Sequence, residues 1–311
     1  MHGKKNQKGV ESNFCSLGKP AMRIKSNEIQ KIDVDKIISQ YDEIKDDALP
    51  NDNFCSWDNC RNSFRNAAVK RYGAHDFQKE DFCDICCSKC GTRNFACCDN
   101  CLALNLGFYL ASWGMYRNSF LNKYDHTIHI EAVKILMDKK YVPLFDPYIS
   151  KKRNTYITLV SDVFVRLWDY YELYANQISK IKGVNKHVSD TLITKIILGV
   201  YGCMPAYDRY FRLGIGYYGG HQSVNKRNIK KVLEELIDVA TALDAQISPI
   251  LNKAISTWNK SNLYTPMRIV DMIFWKIGEQ LINSKSSSNS GLNNSITFPQ
   301  NASSPQKRKR I

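Results

Sequence analysis

Apolar residues recur along most of the chain at intervals of three and four, which is the spacing of an amphipathic α-helix. The clearest run predicts a helix from Val160 to Ile178 that ends before Gly183. The same pattern predicts further helices near residues 29–41, 54–72, 102–113, 128–141, 190–200, 229–240 and 265–277. No segment alternates convincingly between apolar and polar residues, and no internal repeat is visible. The pattern therefore predicts an all-α fold, a multi-helix bundle.

Local signals refine the ends of these helices. Ser189 or Asp190 is expected to cap the helix that continues to Val200, since both side chains accept hydrogen bonds from free helix N–H groups. Thr265 is the predicted cap of the last helix, with Pro266 in its first turn. Two prolines predict a loop at residues 143–147.

Both ends of the chain lack a helical period. Their composition predicts that residues 1–27 are a disordered basic arm. It also predicts that residues 283–311 are a disordered tail, rich in Ser and Asn, with a basic end. The helical body is expected to span residues 28–282. The first 31 residues carry seven Lys or Arg and two Glu, and the last 29 carry five Lys or Arg and no acid. The ends therefore hold 10 of the 14 net positive charges, and a specific site on the body must be a local patch.

The net charge of +14 and the pI near 9.2 favour a polyanionic partner, nucleic acid above all. No apolar run reaches the roughly 18 residues needed to span a bilayer, and the start lacks the apolar stretch of a signal peptide. We therefore expect a cytoplasmic or nuclear protein with no membrane partner. The basic string from Lys307 to Arg310 resembles a nuclear localisation signal, or equally a nonspecific nucleic-acid tail.

Seven of the 11 cysteines lie within 19 residues, where a reducing compartment favours metal binding over disulfides. Two Cys-x-x-Cys pairs can supply the four thiolates of a tetrahedral site. Several choices of pairs fit one site. Two such sites would need eight ligands, one more than the seven cysteines, and His75 or Cys60 is available as the eighth. Zinc is the expected metal, and an iron–sulfur cluster is the alternative. The candidate ligands of this small insertion are Cys83, Cys86, Cys87, Cys90, Cys97, Cys98 and Cys101.

A second constellation occupies residues 181–213. Gly183-Val184 precedes a helix, and Asp208 follows Pro205-Ala206. This tenth of the chain resembles the helix-hairpin-helix DNA glycosylase superfamily. The resemblance implies that the Gly183-Val184 hairpin holds a DNA phosphate through backbone N–H groups. It also implies that Asp208 is the catalytic carboxylate at the cap of the next helix.

The chain departs from the family pattern in the hairpin and after it. Asn185 stands where the family usually has a second glycine, and Lys182 where it has a proline. Bifunctional members of the family have a nucleophilic lysine. Counting back from Asp208 puts Asp190 at its position, and counting forward from Val184 puts His187 there, with Lys186 merely nearby. No lyase nucleophile is therefore assigned.

Asp208 also has a physical argument of its own. A carboxylate at a helix N-terminus is stabilised as the anion, and an anion there can stabilise an oxocarbenium-like sugar as a base departs. The alternative is that Asp208 only caps its helix.

Basic and aromatic residues interleave between Tyr207 and Lys231, a pattern typical of nucleic-acid binding. A solvated helix face with core tyrosines is the simpler explanation for part of it. The predicted nucleic-acid-binding residues are Gly183, Val184, Lys186, Arg209, Arg212, Lys226, Arg227 and Lys230.

The sequence thus favours a nucleic-acid-binding helical protein, with DNA as the expected partner and a structural zinc-type cluster. One alternative is a DNA N-glycosylase-like enzyme that uses Asp208 on a flipped base. The other is a non-catalytic scaffold for protein interactions. Phosphate-binding loops, dinucleotide-binding glycine motifs and the His-Glu-x-x-His zinc motif do not occur in the sequence.

Overall fold

A computed structural model describes residues 24–46, 56–72, 98–178, 187–257 and 264–288. Every regular element within these ranges is a helix, so the described part of the chain has no strand and the predicted all-α class is confirmed. The cysteines at 83–97 and the Gly183-Val184 hairpin with Lys186 lie outside the described residues. Most of both predicted tails lies outside them as well.

The α-helices follow one another with short 3₁₀ segments between some of them. They are α1 (Ser26–Ile29), α2 (Val34–Asp46), α3 (Ser56–Tyr72), α4 (Asp99–Ser112), α5 (Ile130–Leu136), α6 (Arg153–Gln177), α7 (Asp190–Tyr201), α8 (Arg209–Tyr217), α9 (Ile229–Ala242), α10 (Asp244–Thr257) and α11 (Pro266–Ser288). The 3₁₀ segments are Phe120–Lys123, His126–His129, Lys139–Phe145 and Ile149–Lys151.

Two predicted caps are confirmed. Ser189 caps α7, where its hydroxyl oxygen accepts a hydrogen bond from the backbone N–H of Leu192 at 3.1 Å. The Thr265 hydroxyl oxygen accepts from the N–H of Arg268 at 3.0 Å, which starts α11. Each bond satisfies a backbone donor that has no partner inside its helix.

The helix predicted over residues 128–141 is wrong in its extent. The α-helical part ends at Leu136, because the Asp138 carboxylate accepts from the N–H of Lys140 at 3.2 Å and starts a separate 3₁₀ segment. Pro143 lies inside that segment rather than at the edge of a loop. A periodic pattern does not show such a break, since both segments bury residues at similar spacing.

The predicted ends of the helical body are also shifted. α1 begins inside the predicted arm, and the N–H of Lys25 donates to the carbonyl of Tyr218 at 3.0 Å. α11 continues to Ser288, beyond the predicted start of the tail. α10 was not predicted at all, because Pro249 interrupts its pattern, although Ile247 and Leu251 are buried in the core.

α7 is the central helix of the fold, buried from Leu192 to Tyr201. α3, α4 and α6 pack around it. The indole N–H of Trp57 donates to the carbonyl of Leu198 at 2.7 Å, and the ring of Tyr109 lies against Gly199. An apolar, enclosed helix of this kind places its first turn and its last turn at opposite ends of the core.

α8 and α11 cross at very short range. A methyl group added at Gly214 would lie 1.9 Å from the carbonyl oxygen of Phe274, and one at Gly278 would lie 1.9 Å from that of Tyr210. The two glycines therefore set the distance between the helices, since any larger side chain would meet backbone.

One fully buried polar group lies between tyrosines. The imidazole nitrogens of His129 are each 2.7 Å from a hydroxyl, Nε2 from Tyr116 and Nδ1 from Tyr171. A neutral imidazole satisfies both contacts, donating at one nitrogen and accepting at the other. Burial, with a smaller contribution from His126, lowers the pKa of His129 to about 4.

This lowered pKa predicts acid sensitivity. Between pH 7 and pH 5 the unfolded chain takes up a proton at His129 and the folded chain does not, so the free energy of unfolding should fall by about 2 kcal/mol. Asp271 opposes this effect, because burial raises its pKa and the folded state gains relative stability when that carboxyl is protonated. Urea unfolding of His129→Gln at both pH values isolates the histidine. Parallel pH curves for the variant and the wild type would contradict this expectation.

Candidate nucleic-acid interface

The first turn of α7 is the meeting point of segments that are distant in sequence. The Thr191 hydroxyl donates to the carbonyl of Tyr207 at 2.7 Å, which joins this turn to the loop before α8. The Asp190 carboxylate accepts from the N–H of Val224 at 3.2 Å, which joins it to the loop before α9. The predicted hairpin residues immediately precede this turn along the chain.

A cleft of about 150 Å³ opens beside the same turn. One wall is the turn after α4, residues 114–120, and the other is formed by His187, Ser189 and Leu192. The turn carries Arg117 and Asn118, both exposed. The described residues that line the cleft include no Asp or Glu. A cleft with cationic and hydrogen-bonding groups at a helix N-terminus is suited to an anion.

Asp208 occupies the N-cap of α8, as expected. Its Oδ1 accepts from the backbone N–H groups of Tyr210 and Phe211, each at 3.1 Å. Its Oδ2 lies 3.2 Å from the ammonium of Lys195, and the two side chains are only 17% and 5% exposed. The Lys195 ammonium also lies 4.0 Å above the ring centre of Trp113. Both oxygens of the candidate catalytic carboxylate therefore have partners within the protein.

A second buried ion pair holds the loop before Asp208. One oxygen of Asp271 accepts from the N–H of Ala206 at 2.8 Å, and the other lies 2.6 Å from the guanidinium of Arg268. Burial raises the pKa of Asp271, and the nearby Asp208 carboxylate adds to the rise. The loop at 203–207 is thus positioned by charged groups beneath it.

The predicted nucleic-acid-binding cations fall into two groups. Arg212 donates to the carbonyl of Tyr207 at 2.7 Å and is paired with Asp190, so it joins α7 to α8. Lys226 lies 2.8 Å from Asp169 and 3.0 Å from a carboxylate oxygen of Glu172, both on α6. Such contacts are intramolecular and compete with any phosphate for these two cations.

The remaining cations are directed to solvent. Arg209 is the first residue of α8, Arg227 lies two residues before α9, and Lys230 is the second residue of α9. All three are exposed and form no ion pair with another residue that the structure describes. None of the three is among the described residues that line the cleft, although the loop that carries Arg227 is joined to the first turn of α7 through Val224.

Aromatic residues of the interleaved run contribute less to the surface than their number suggests. Tyr207 and Tyr218 are buried, and Tyr210 packs on Trp275 with ring centres 4.9 Å apart. His221 donates its backbone N–H to Glu235 at 2.8 Å, and its Nδ1 lies 2.6 Å from the same carboxylate. The core-tyrosine explanation is therefore confirmed for part of this run.

Two of the candidate metal ligands lie in the described region. Cys98 caps α4 and Cys101 lies in its first turn, with their sulfur atoms 3.2 Å apart. Two sulfurs bound to a tetrahedral zinc ion lie roughly 3.8 Å apart, so the two thiols are closer together than a metal-bound pair and would have to separate slightly to share an ion. Within the described residues no three potential ligands come together. Cys60 is buried in the core, and its burial raises the pKa of the thiol.

Lys195 and Asp271 are the site residues that the sequence analysis missed. Lys195 had a visible signal, because it lies in the apolar run from Leu192 to Val200, where a charge requires a partner. Asp271 is the corresponding case in the apolar part of α11. In both cases the partner lies on another segment and is not visible in the sequence.

The comparisons with known proteins give no relative: no family model, no curated protein and no solved structure matches the chain. Among the helices that the structure describes, none is both long enough and apolar enough to cross a membrane.

Proposed function

We propose that the protein binds nucleic acid, DNA in the first place, on the face around the first turn of α7. The observation that supports this proposal is the cleft between Arg117 and His187, which has no acidic residue among its described lining. A phosphate there would meet a guanidinium and the N-terminal end of a helix dipole.

The proposal joins residues that the sequence analysis named separately. Gly183-Val184 and Lys186 lead directly into α7, and Arg209 begins the neighbouring helix α8. The basic ends of the chain would add affinity without sequence preference. In this arrangement the helical body positions the nucleic acid, and the basic ends keep the nucleic acid close to the protein for longer.

The test measures affinity for a short DNA duplex against salt, with the full-length protein and Arg117→Gln. Loss of one phosphate contact should weaken binding by roughly three- to tenfold and lower the salt slope by about 1. Lys139→Gln is the matched control. Lys139 is exposed and follows Leu136, whose carbonyl accepts from the Tyr201 hydroxyl at the last turn of α7. The first and last residues of α7 are roughly 16 Å apart along the helix axis. Equal losses for both variants would mean that only overall charge matters.

Base excision is the second candidate function, favoured by the position of Asp208 at the cap of α8. In that reaction its carboxylate would stabilise positive charge on the sugar as a flipped base leaves. The ion pair with Lys195 partly neutralises this charge, which makes binding the better supported function. Asp208→Asn retains a capping side chain, so it should leave the salt slope of binding unchanged while lowering any base release by about 100-fold. Absence of base release in the wild type would remove this candidate.

The cysteine cluster is proposed to hold zinc. Cys98 and Cys101 would supply one pair of thiolates, and Cys83 with Cys86, or Cys87 with Cys90, the other. Its support is the closeness of the two described sulfurs together with the seven cysteines found within 19 residues. Zinc analysis of the protein purified without added metal tests it, and an iron–sulfur cluster would be recognised by its visible absorption. A non-catalytic scaffold is the remaining alternative, and it predicts neither salt-dependent binding by the body nor base release.

A further inference from the structure

α4 has an exposed apolar stripe, defined here as Leu104 and Phe108. Their exposed fractions are 51% and 75%, and the only other large apolar side chain this exposed in the described part of the chain is Leu173. The opposite side of α4 is buried in the core. Exposing two large apolar side chains on adjacent turns costs free energy, so the stripe is a candidate docking surface.

The stripe is aligned with the described pair of metal ligands. Cys101, Leu104 and Phe108 are separated by three and four residues and therefore lie along one face of α4. From Cys101 to Phe108 this face is roughly 10 Å long, at 1.5 Å per residue. Whatever holds the other two ligands of the proposed zinc site must approach this end of α4.

The geometry of the chain brings one segment to this place. Residues 73–97 connect α3 to α4, and the guanidinium of Arg71 lies 2.7 Å from the carboxylate of Asp99. The segment therefore leaves the last turn of α3 and returns to the first turn of α4 at nearly the same point. Both ends of this 25-residue segment are anchored beside the first turn of α4, so its length is sufficient to reach the stripe.

The segment has large apolar side chains of its own that suit packing on the stripe. It carries Phe77, Phe82, Ile85 and Phe95 among its cysteines. Two thiolate pairs that converge on one ion would draw the segment onto Cys98 and Cys101, and neighbouring aromatic side chains would then be within reach of the stripe.

We propose that the segment 73–97 of the same chain covers Leu104 and Phe108, so that the cysteine module packs on α4 and is not a free appendage. The inference extends the proposed zinc site, but the covering contact itself is tested without metal chemistry. Burial of the two side chains would stabilise the module, and the module would shield them from water.

The first experiment replaces Phe108 with the photo-crosslinking residue p-benzoylphenylalanine in the full-length protein. Irradiation of the monomer should give adducts to residues 73–97, identified by mass spectrometry. The same residue in place of Leu173, which lies on α6, is the matched control and should give no adducts to that segment. Adducts that join two copies of the chain, or no adducts to residues 73–97, would overturn the proposal.

The second experiment measures zinc release to a colorimetric chelator. The double variant Leu104→Gln/Phe108→Gln should release zinc roughly tenfold faster than the wild type, while Leu173→Gln should release it at the wild-type rate. Equal rates for all three proteins would overturn the proposal. Protein that carries no zinc and still gives the expected adducts would refute the metal site and leave the covering contact established.

Discussion

Replacing Lys195 by methionine is expected to lower the free energy of unfolding by about 3 kcal/mol. Methionine retains most of the packing against Trp113 but removes the ammonium 3.2 Å from Asp208. Among the described residues, the carboxylate then keeps the two N–H groups of α8 as its partners, in a largely buried position. Urea denaturation at neutral pH measures this loss. A cost below about 1 kcal/mol would mean that water solvates the carboxylate and that the pair contributes little.

The double variant Lys195→Met/Asp208→Asn supplies the control. It removes both charges and keeps an amide oxygen that can cap α8, so it should recover part of the stability lost in either single variant. A coupling free energy near zero would contradict a direct interaction. The cycle also bears on base excision, because a loss of activity in Asp208→Asn is interpretable only beside its loss of stability.

Replacing Gly214 by alanine is expected to destabilise the protein by about 3 kcal/mol or more. The new methyl group would lie 1.9 Å from the carbonyl oxygen of Phe274, so α8 and α11 must move apart. Gly216→Ala in the same helix is the matched control, because there the methyl group would meet only the side chain of Gln222, which is exposed and can move. The control should be neutral or stabilise the helix by up to about 1 kcal/mol. Similar losses in both variants would contradict this explanation, because the close crossing with α11 is then not what distinguishes Gly214 from Gly216.

The sequence was sufficient for elements whose signals are local. The three- and four-residue spacing predicted α6, α7 and α9, and hydroxyl side chains predicted the caps at Ser189 and Thr265. It failed for α10, where Pro249 breaks the pattern, and for the end of α5, where Asp138 starts a new turn.

The site was harder to predict because its contacts are long-range. Arg212 and Lys226 have the chemistry of phosphate ligands, but their carboxylate partners lie 22 to 57 positions away and are invisible in a linear motif. The same limit applies to the cleft, whose two walls at Arg117 and His187 come from distant segments. Such convergence follows from packing around α7, which no local pattern specifies.

Amide hydrogen exchange of the full-length protein with and without a short DNA duplex, at about 0.1 M salt, distinguishes binding on the helical body from binding by the basic ends. Binding on the face around the first turn of α7 predicts slower exchange at residues 114–120 and 187–192, the walls of the cleft. The last turn of α7 and the neighbouring Lys139 should be unaffected. Protection confined to the first 31 and last 29 residues would contradict the account, because the nucleic acid would then bind only the basic ends.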